Sequence, residues 1–125
     1  MEITLNHTII NSYDNVASAK FYERIFGFKF IKVWEHFAVL KVNSTLTFDF
    51  LIKEKFSKQH YAFKVSEDEF DEIFQRVKDE NIPYGSDPYD RENGEINNHY
   101  GGRGVYFGDP NEHILEIITA DYIID

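Results

Sequence analysis

Arg103-Gly104-Val105-Tyr106-Phe107 and Ile114-Leu115-Glu116-Ile117-Ile118-Thr119 read as two strands, joined by a turn at Asp109-Pro110-Asn111. Alternation along the second strand puts Ile114, Glu116 and Ile118 on one face and His113, Leu115, Ile117 and Thr119 on the other. Glu116 therefore has an apolar neighbour two residues away on each side, on a strand expected to be largely buried. An isolated charge in apolar surroundings is strongly unfavourable, so this carboxylate is expected to be protonated, paired or bound to a metal. Tyr106 shares its face with Gly104 and Gly108, small neighbours that leave room for a ligand.

Upstream, the stretch from Gly85 to Gly102 has little apolar periodicity and contains Gly94, Glu95, Asn97, Asn98, His99, Tyr100 and a glycine pair. A loop of that length in a compact domain is usually functional or disordered, and its ligand-type side chains favour a lid or site wall. Before it, His60 stands at the entrance of the strand-like Tyr61-Ala62-Phe63-Lys64-Val65. Ser66-Glu67-Asp68-Glu69 forms a capping box, and Phe70, Ile73, Phe74 and Val77 make an apolar helical stripe that Asn81-Ile82-Pro83 ends. The acidic run from Glu67 to Glu72 is read as a solvated helix start favoured by the helix dipole.

The same order occurs earlier in the chain. Residues 3 to 10 are read as a first strand with Ile3, Leu5, His7 and Ile9 on one face. Asp14 or Asn15 caps a helix that runs through Phe21-Tyr22 and Ile25-Phe26 and stops at Gly27. Residues 28–33, 37–42 and 46–52 are strand-like, with Asn43-Ser44 as a tight turn between the last two. His7 to Phe28 spans 21 residues and His60 to Ile82 spans 22, a repeat in order and spacing that hardly extends to residue identity. The expectation is an α+β fold of two βαβββ modules, 1–54 and 58–125, within one domain.

A chain of 125 residues with 42 % hydrophobic side chains holds enough apolar material for a core, which excludes wholesale disorder. A net charge of −9 would be repelled by nucleic acid and by an anionic membrane, so neither is expected as a partner. Cysteine is absent, so any transition metal must be held by His and carboxylate. Apolar runs such as Phe37-Ala38-Val39-Leu40 are too short to span a bilayer, and Met1-Glu2-Ile3-Thr4 lacks the basic start of a secretory signal. A cytoplasmic location is the corresponding expectation.

His7 sits between Leu5 and Ile9 as Glu116 sits between Ile114 and Ile118. Taken singly, each has an ordinary alternative: a satisfied core histidine, or a strand glutamate facing water. Taken together, His7, His60 and Glu116 make a set of two His and one carboxylate on strand-forming segments, which leaves coordination positions open for water or substrate. His36 and His113 have no such pattern and are read as structural.

The chain resembles the vicinal oxygen chelate superfamily, the group of glyoxalase I, fosfomycin-resistance thiol transferases, bleomycin-resistance proteins and extradiol dioxygenases. The likeness is carried by Leu5-Asn6-His7-Thr8, Ala19-Lys20-Phe21-Tyr22-Glu23 with Phe26-Gly27-Phe28, His60-Tyr61-Ala62-Phe63, Gly104-Val105-Tyr106-Phe107, Asp109-Pro110-Asn111 and Leu115-Glu116-Ile117. The resemblance implies paired βαβββ modules curled into a cup-shaped half-barrel, with a divalent metal (Zn, Ni, Mn, Co or Fe) held by His7, His60 and Glu116. It also implies a homodimer in which one site can draw ligands from both subunits. Two positions depart from the family pattern. Glu112 stands where a glycine in a left-handed conformation is usual, a strain of roughly 1 kcal/mol, so a slightly altered turn is expected. The fourth ligand of glyoxalase I has only Asp49 as a counterpart, which serves as ligand, base or cation partner, or is a plain edge-strand aspartate.

The expected function is activation of a small substrate with adjacent oxygens by a metal acting as Lewis acid, with isomerase or lyase chemistry first and dioxygenation second. Tyr106, Asp49 or His99 would move or steady a proton. Tyr106 would donate to an oxyanion or pack as a core aromatic. Arg103 would hold an anionic group or answer surface carboxylates, and His99 would act as acid or base or stay an exposed loop residue. The alternative function is a metal-free, ligand-sequestering protein of the bleomycin-resistance type.

Overall fold

The computed structural model describes residues 2–124. The first unit runs β1 (His7–Ser12), α1 (Asn15–Phe26), β2 (Lys29–Trp34), β3 (Phe37–Lys41) and β4 (Thr47–Ile52). The second runs β5 (His60–Lys64), α2 (Glu67–Asp79), β6 (Tyr84–Gly85), β7 (Gly104–Gly108) and β8 (Ile114–Ile118). The chain divides between Ser57 and Lys58. Each unit holds one four-stranded sheet, in the orders β1-β4-β3-β2 and β5-β8-β7-β6. In both, the first strand pairs parallel with the last and the other neighbours are antiparallel. The two βαβββ modules thus share topology strand for strand.

Local chemistry explains the helices. Asp14, in extended backbone, accepts from the Ala17 amide at 2.9 Å and starts α1; Gly27, at φ +81°, closes it in a conformation that a Cβ would disfavour. At α2 the Ser66 hydroxyl accepts from the Glu69 amide at 3.1 Å, while the Glu69 carboxylate accepts from the Ser66 amide at 2.8 Å. In the first unit Tyr22 lies against Phe26, Phe48 and Phe50, with ring centroids 5.2–6.0 Å away, above fully buried Ile10, Ala38 and Leu40. In the second unit Phe74 meets Tyr84 edge-on at 4.9 Å, and Phe70, Val77, Val105, Phe107, Leu115 and Ile117 are all fully buried. Burial of each such side chain stabilises by roughly 1.5–3 kcal/mol.

Two expectations are corrected. The first strand begins at His7 instead of Ile3, because its ladder partner β4 begins at Thr47, opposite His7. Its buried positions are Ile10 and Ser12, while Ile3, Leu5 and Ile9 are exposed, so the inward face is the other one. The left-handed turn is also kept: Glu112 adopts φ +66° outright. Asp109 holds it, its carboxylate accepting from the amides of Asn111 (2.8 Å) and His113 (2.9 Å).

Candidate metal and substrate site

In the second unit, register puts Ala62, Glu116 and Tyr106 in one row across β5, β8 and β7, with His60 one row away on the same face. The diagonal lets His60 Nε2 meet Glu116 Oε1 at 2.9 Å. Glu116 is 3 % exposed, whereas the His60 side chain is 41 % exposed, so the pair joins a buried acid to an accessible ring. The Tyr106 phenol donates to the same carboxylate, and the His60 and Tyr106 rings lie 5.9 Å apart. Burial first, then this bond and the Glu116 charge, raise the Tyr106 pKa far above its ordinary value, so the phenol stays protonated as a donor. The burial argument for Glu116 is thereby answered by pairing.

A cavity of about 120 Å³ opens beside Glu116, walled by Asn97, His99 and Tyr100 from the 85–102 loop, with Tyr106, Ile118 and Tyr122. The loop is a built wall. Asn93 accepts from the Ser86 and Glu95 amides, Asn97 donates to the Ser86 carbonyl at 3.0 Å, and Asn97 exchanges backbone hydrogen bonds with Gly104. A larger cavity of about 470 Å³ lies by the β7–β8 turn, between Lys58, Pro83, Arg91 and Glu112, but neither His60 nor Glu116 lines it. Glu116 lines the smaller one.

The remaining candidates divide. In the first unit His7 pairs with Thr47 and Ile9 with Asp49, so His7 stands diagonal to Asp49 as His60 stands diagonal to Glu116. Asp49 is therefore the positional counterpart of Glu116. Its strand lies between β1 and β3, which removes the edge-strand alternative. His7 is exposed, its Nδ1 2.7 Å from Asn6 Oδ1. Among the described residues no three His, Asp or Glu side chains gather into one cluster. Arg103 borders the cavity, but its fork is turned to α2: Nε donates to Glu67 and Nη1 to Asp71, both at 2.8 Å, with the guanidinium 4.3 Å above the Phe70 ring. This is the carboxylate-answering arrangement. The Thr119 hydroxyl and Arg103 hold the Glu67 carboxyl below its ordinary range. His99 is exposed at the cavity mouth. His113 is fully buried, its Nδ1 accepting from the Gln59 amide at 3.0 Å, a structural placement.

His60 and Glu116 are two donors of the kind a divalent metal takes, with no third beside them among the described residues. An imidazole nitrogen and a carboxylate oxygen, the ligand types such ions select, face one another at 2.9 Å, and the carboxylate lines the cavity. Sequence reading missed Tyr122, which lies beyond the last strand where no period fixes its direction; an aromatic so close after the Glu116 strand was the only signal.

Comparison with known proteins agrees with this architecture. Structural similarity extends to the oxidase ChaP-H2 (44 % identity, TM-score 0.92, covering 98 % of this chain and 97 % of that one). It extends equally to the oxidase ChaP-H1 (43 %, TM-score 0.90, covering 97 % and 98 %). The fosfomycin resistance protein FosX of Mesorhizobium loti shares the fold at 19 % identity and TM-score 0.73, covering 97 % and 95 %. In sequence, the metallothiol transferase FosB of Lysinibacillus sphaericus (strain C3-41) is 28 % identical, covering 94 % of this chain and 82 % of the relative. Residues 4–117 match the family model, and the chain belongs to the Glyoxalase/Bleomycin resistance protein/Dioxygenase superfamily.

Proposed function

We propose that the protein is a metal-dependent enzyme that uses dioxygen as oxidant to oxidise a small molecule carrying adjacent oxygens, with His60 and Glu116 as the metal ligands of the second module. The observation that carries this is the His60–Glu116 pairing at 2.9 Å beside a cavity. His7 supplies the second imidazole, and Asp49, diagonal to it, serves as base or cation partner outside the ligand set. Two His and one carboxylate with open positions suit Fe(II), and likeness at 43–44 % identity to proteins named oxidases favours oxidation over the isomerisation expected from sequence. Thiol transfer rests on the more distant relative.

When bound, the metal supplies Lewis acidity and coordination positions for the two oxygens. The protein supplies the rest. Tyr106, kept protonated, orients the Glu116 carboxylate through its phenol. The 85–102 loop narrows solvent access, and His99 at the mouth passes a proton between substrate and water. Exposed Ile9, Val33 and Trp34 support a homodimer in which ligands come from both subunits.

Elemental analysis after anaerobic loading with Fe(II) tests the reading, with His60→Ala and Glu116→Gln alongside. Near-stoichiometric iron in the parent, lost in both variants, is expected. Equal iron in all three, or none in the parent, overturns the site; the second result returns the metal-free sequestering alternative.

A further inference from the structure

We propose that His113 is a positioning residue for His60: it fixes the backbone on both sides of that residue and so aims its imidazole at Glu116. The role rests on the reading of His60 and Glu116 as metal ligands; the geometry does not. Immediately before His60, the Gln59 amide donates to His113 Nδ1 at 3.0 Å. Immediately after it, the Tyr61 ring meets the His113 ring edge-on, with centroids 5.6 Å apart and planes at 78°. An acceptor at Nδ1 puts the proton of the neutral ring on Nε2, so one tautomer is selected. Gln59 is held twice, because its carbonyl also accepts from the Ile114 amide at 2.8 Å.

His113 serves as a fixed point because its own place is set locally. Its amide donates to the Asp109 carboxylate at 2.9 Å, and its carbonyl accepts from the Asp109 amide at 3.1 Å. The turn that carries Glu112 at φ +66° is thereby closed on itself. The His113 ring is fully buried, and alternation along β8 sets it on the face opposite to Glu116. It therefore acts on the site through β5 and not by contact.

The first module supplies the comparison. There the Thr47 amide donates to the Asn6 carbonyl at 2.9 Å, as Ile114 does to Gln59. Leu46 stands where His113 stands, one residue before the ladder partner of the histidine. A leucine offers no acceptor to the Asn6 amide. His7, the counterpart of His60, is exposed, with its Nδ1 2.7 Å from Asn6 Oδ1; among the described residues no hydrogen bond joins it to Asp49. The histidine backed by a buried acceptor meets its diagonal carboxylate at 2.9 Å, and the one without it does not.

Three substitutions separate aiming from packing. His113→Asn keeps an acceptor bonded to Cγ and gives up the ring, whereas His113→Leu and His113→Phe fill the space and remove the acceptor. Fe(II) affinity is measured anaerobically against a chelating dye, and stability by urea unfolding. In the metal-free proteins, NMR follows Gln59 amide exchange and the contact between the His60 and Tyr106 rings. The His113→Asn protein is expected to bind Fe(II) within about twofold of the parent, and the other two about tenfold more weakly, a common loss when the support of a ligand is removed. Gln59 should stay protected and the ring contact persist in the His113→Asn protein, and both should be lost in the other two. A purely structural His113 predicts affinity that follows unfolding stability instead. A His113→Leu or His113→Phe protein that binds Fe(II) as the parent does overturns the proposal. So does a folded His113→Asn protein that binds as weakly as about a tenth of the parent, even where the other two do not fold. A parent that takes up no iron removes the metal reading alone. The metal-free series then decides the aiming: a ring contact retained without the acceptor overturns it, and one lost there but kept in the His113→Asn protein upholds it.

Discussion

Glu116 reaches its buried position with two partners of different kinds, a basic ring and a protonated phenol. Tyr106→Phe removes the phenol donor and leaves the ring in place. It should weaken Fe(II) binding about tenfold in competition with a chelating dye, as loss of a bond that orients a ligand commonly does. The raised Tyr106 pKa has a direct consequence. The fold favours the protonated phenol, so the contribution is complete below the ordinary value of 10.0 and is lost as pH rises towards the raised one. Tyr61, raised by burial and then by Asp109, behaves in the same direction. In an absorbance titration of phenolate, Tyr106 and Tyr61 should therefore remain protonated above pH 10, and the Tyr106→Phe protein should retain one such phenol fewer than the parent. Glu112 offers the opposite kind of test. Its φ of +66° carries strain that glycine would not, so Glu112→Gly should raise unfolding stability by about 1 kcal/mol in urea.

Among the elements, the caps determine where helices begin. Ser66→Ala should cost about 1 kcal/mol of stability by urea unfolding. The Glu69 carboxyl is held below its ordinary range by the Ser66 amide and hydroxyl, so its share is present above the usual carboxylate pKa and fades as pH falls through the lowered value. The difference between parent and variant should accordingly shrink in acid. Both caps were legible from sequence, because Ser-x-x-Glu and the Asp14 and Gly27 positions act within a few residues of themselves. Strand β1 was less legible: Ile3, Leu5, His7 and Ile9 alternate correctly, but which face turns inward depends on β4. The two-residue strand β6 leaves no period to read. The 85–102 stretch was recognisable as a wall by composition, while its hydrogen bonds between Ser86, Asn93 and Asn97 required the fold.

For the whole molecule, the shared topology of the two modules gives His7 and Asp49 in the first sheet the register that His60 and Glu116 have in the second. The exposed apolar side chains of β1 and β2 give the proposed homodimer its test. Sedimentation at micromolar concentration should show a dimer for the parent and a monomer for Trp34→Lys, since a buried unpaired ammonium is costly. No helix among the described residues is long and apolar enough to cross a membrane. By itself the sequence determined the α+β class, the doubled module, both helix caps and Glu116 as a carboxylate in need of a partner. All of these follow from local periodicity and from the cost of burying charge. Only the tertiary structure decided that His60 and Tyr106 are that partner, that Arg103 turns away to α2, and that the His113 ring meets the Gln59 amide. Those outcomes depend on strand register and on loop paths between residues distant in the chain, which a linear pattern does not contain.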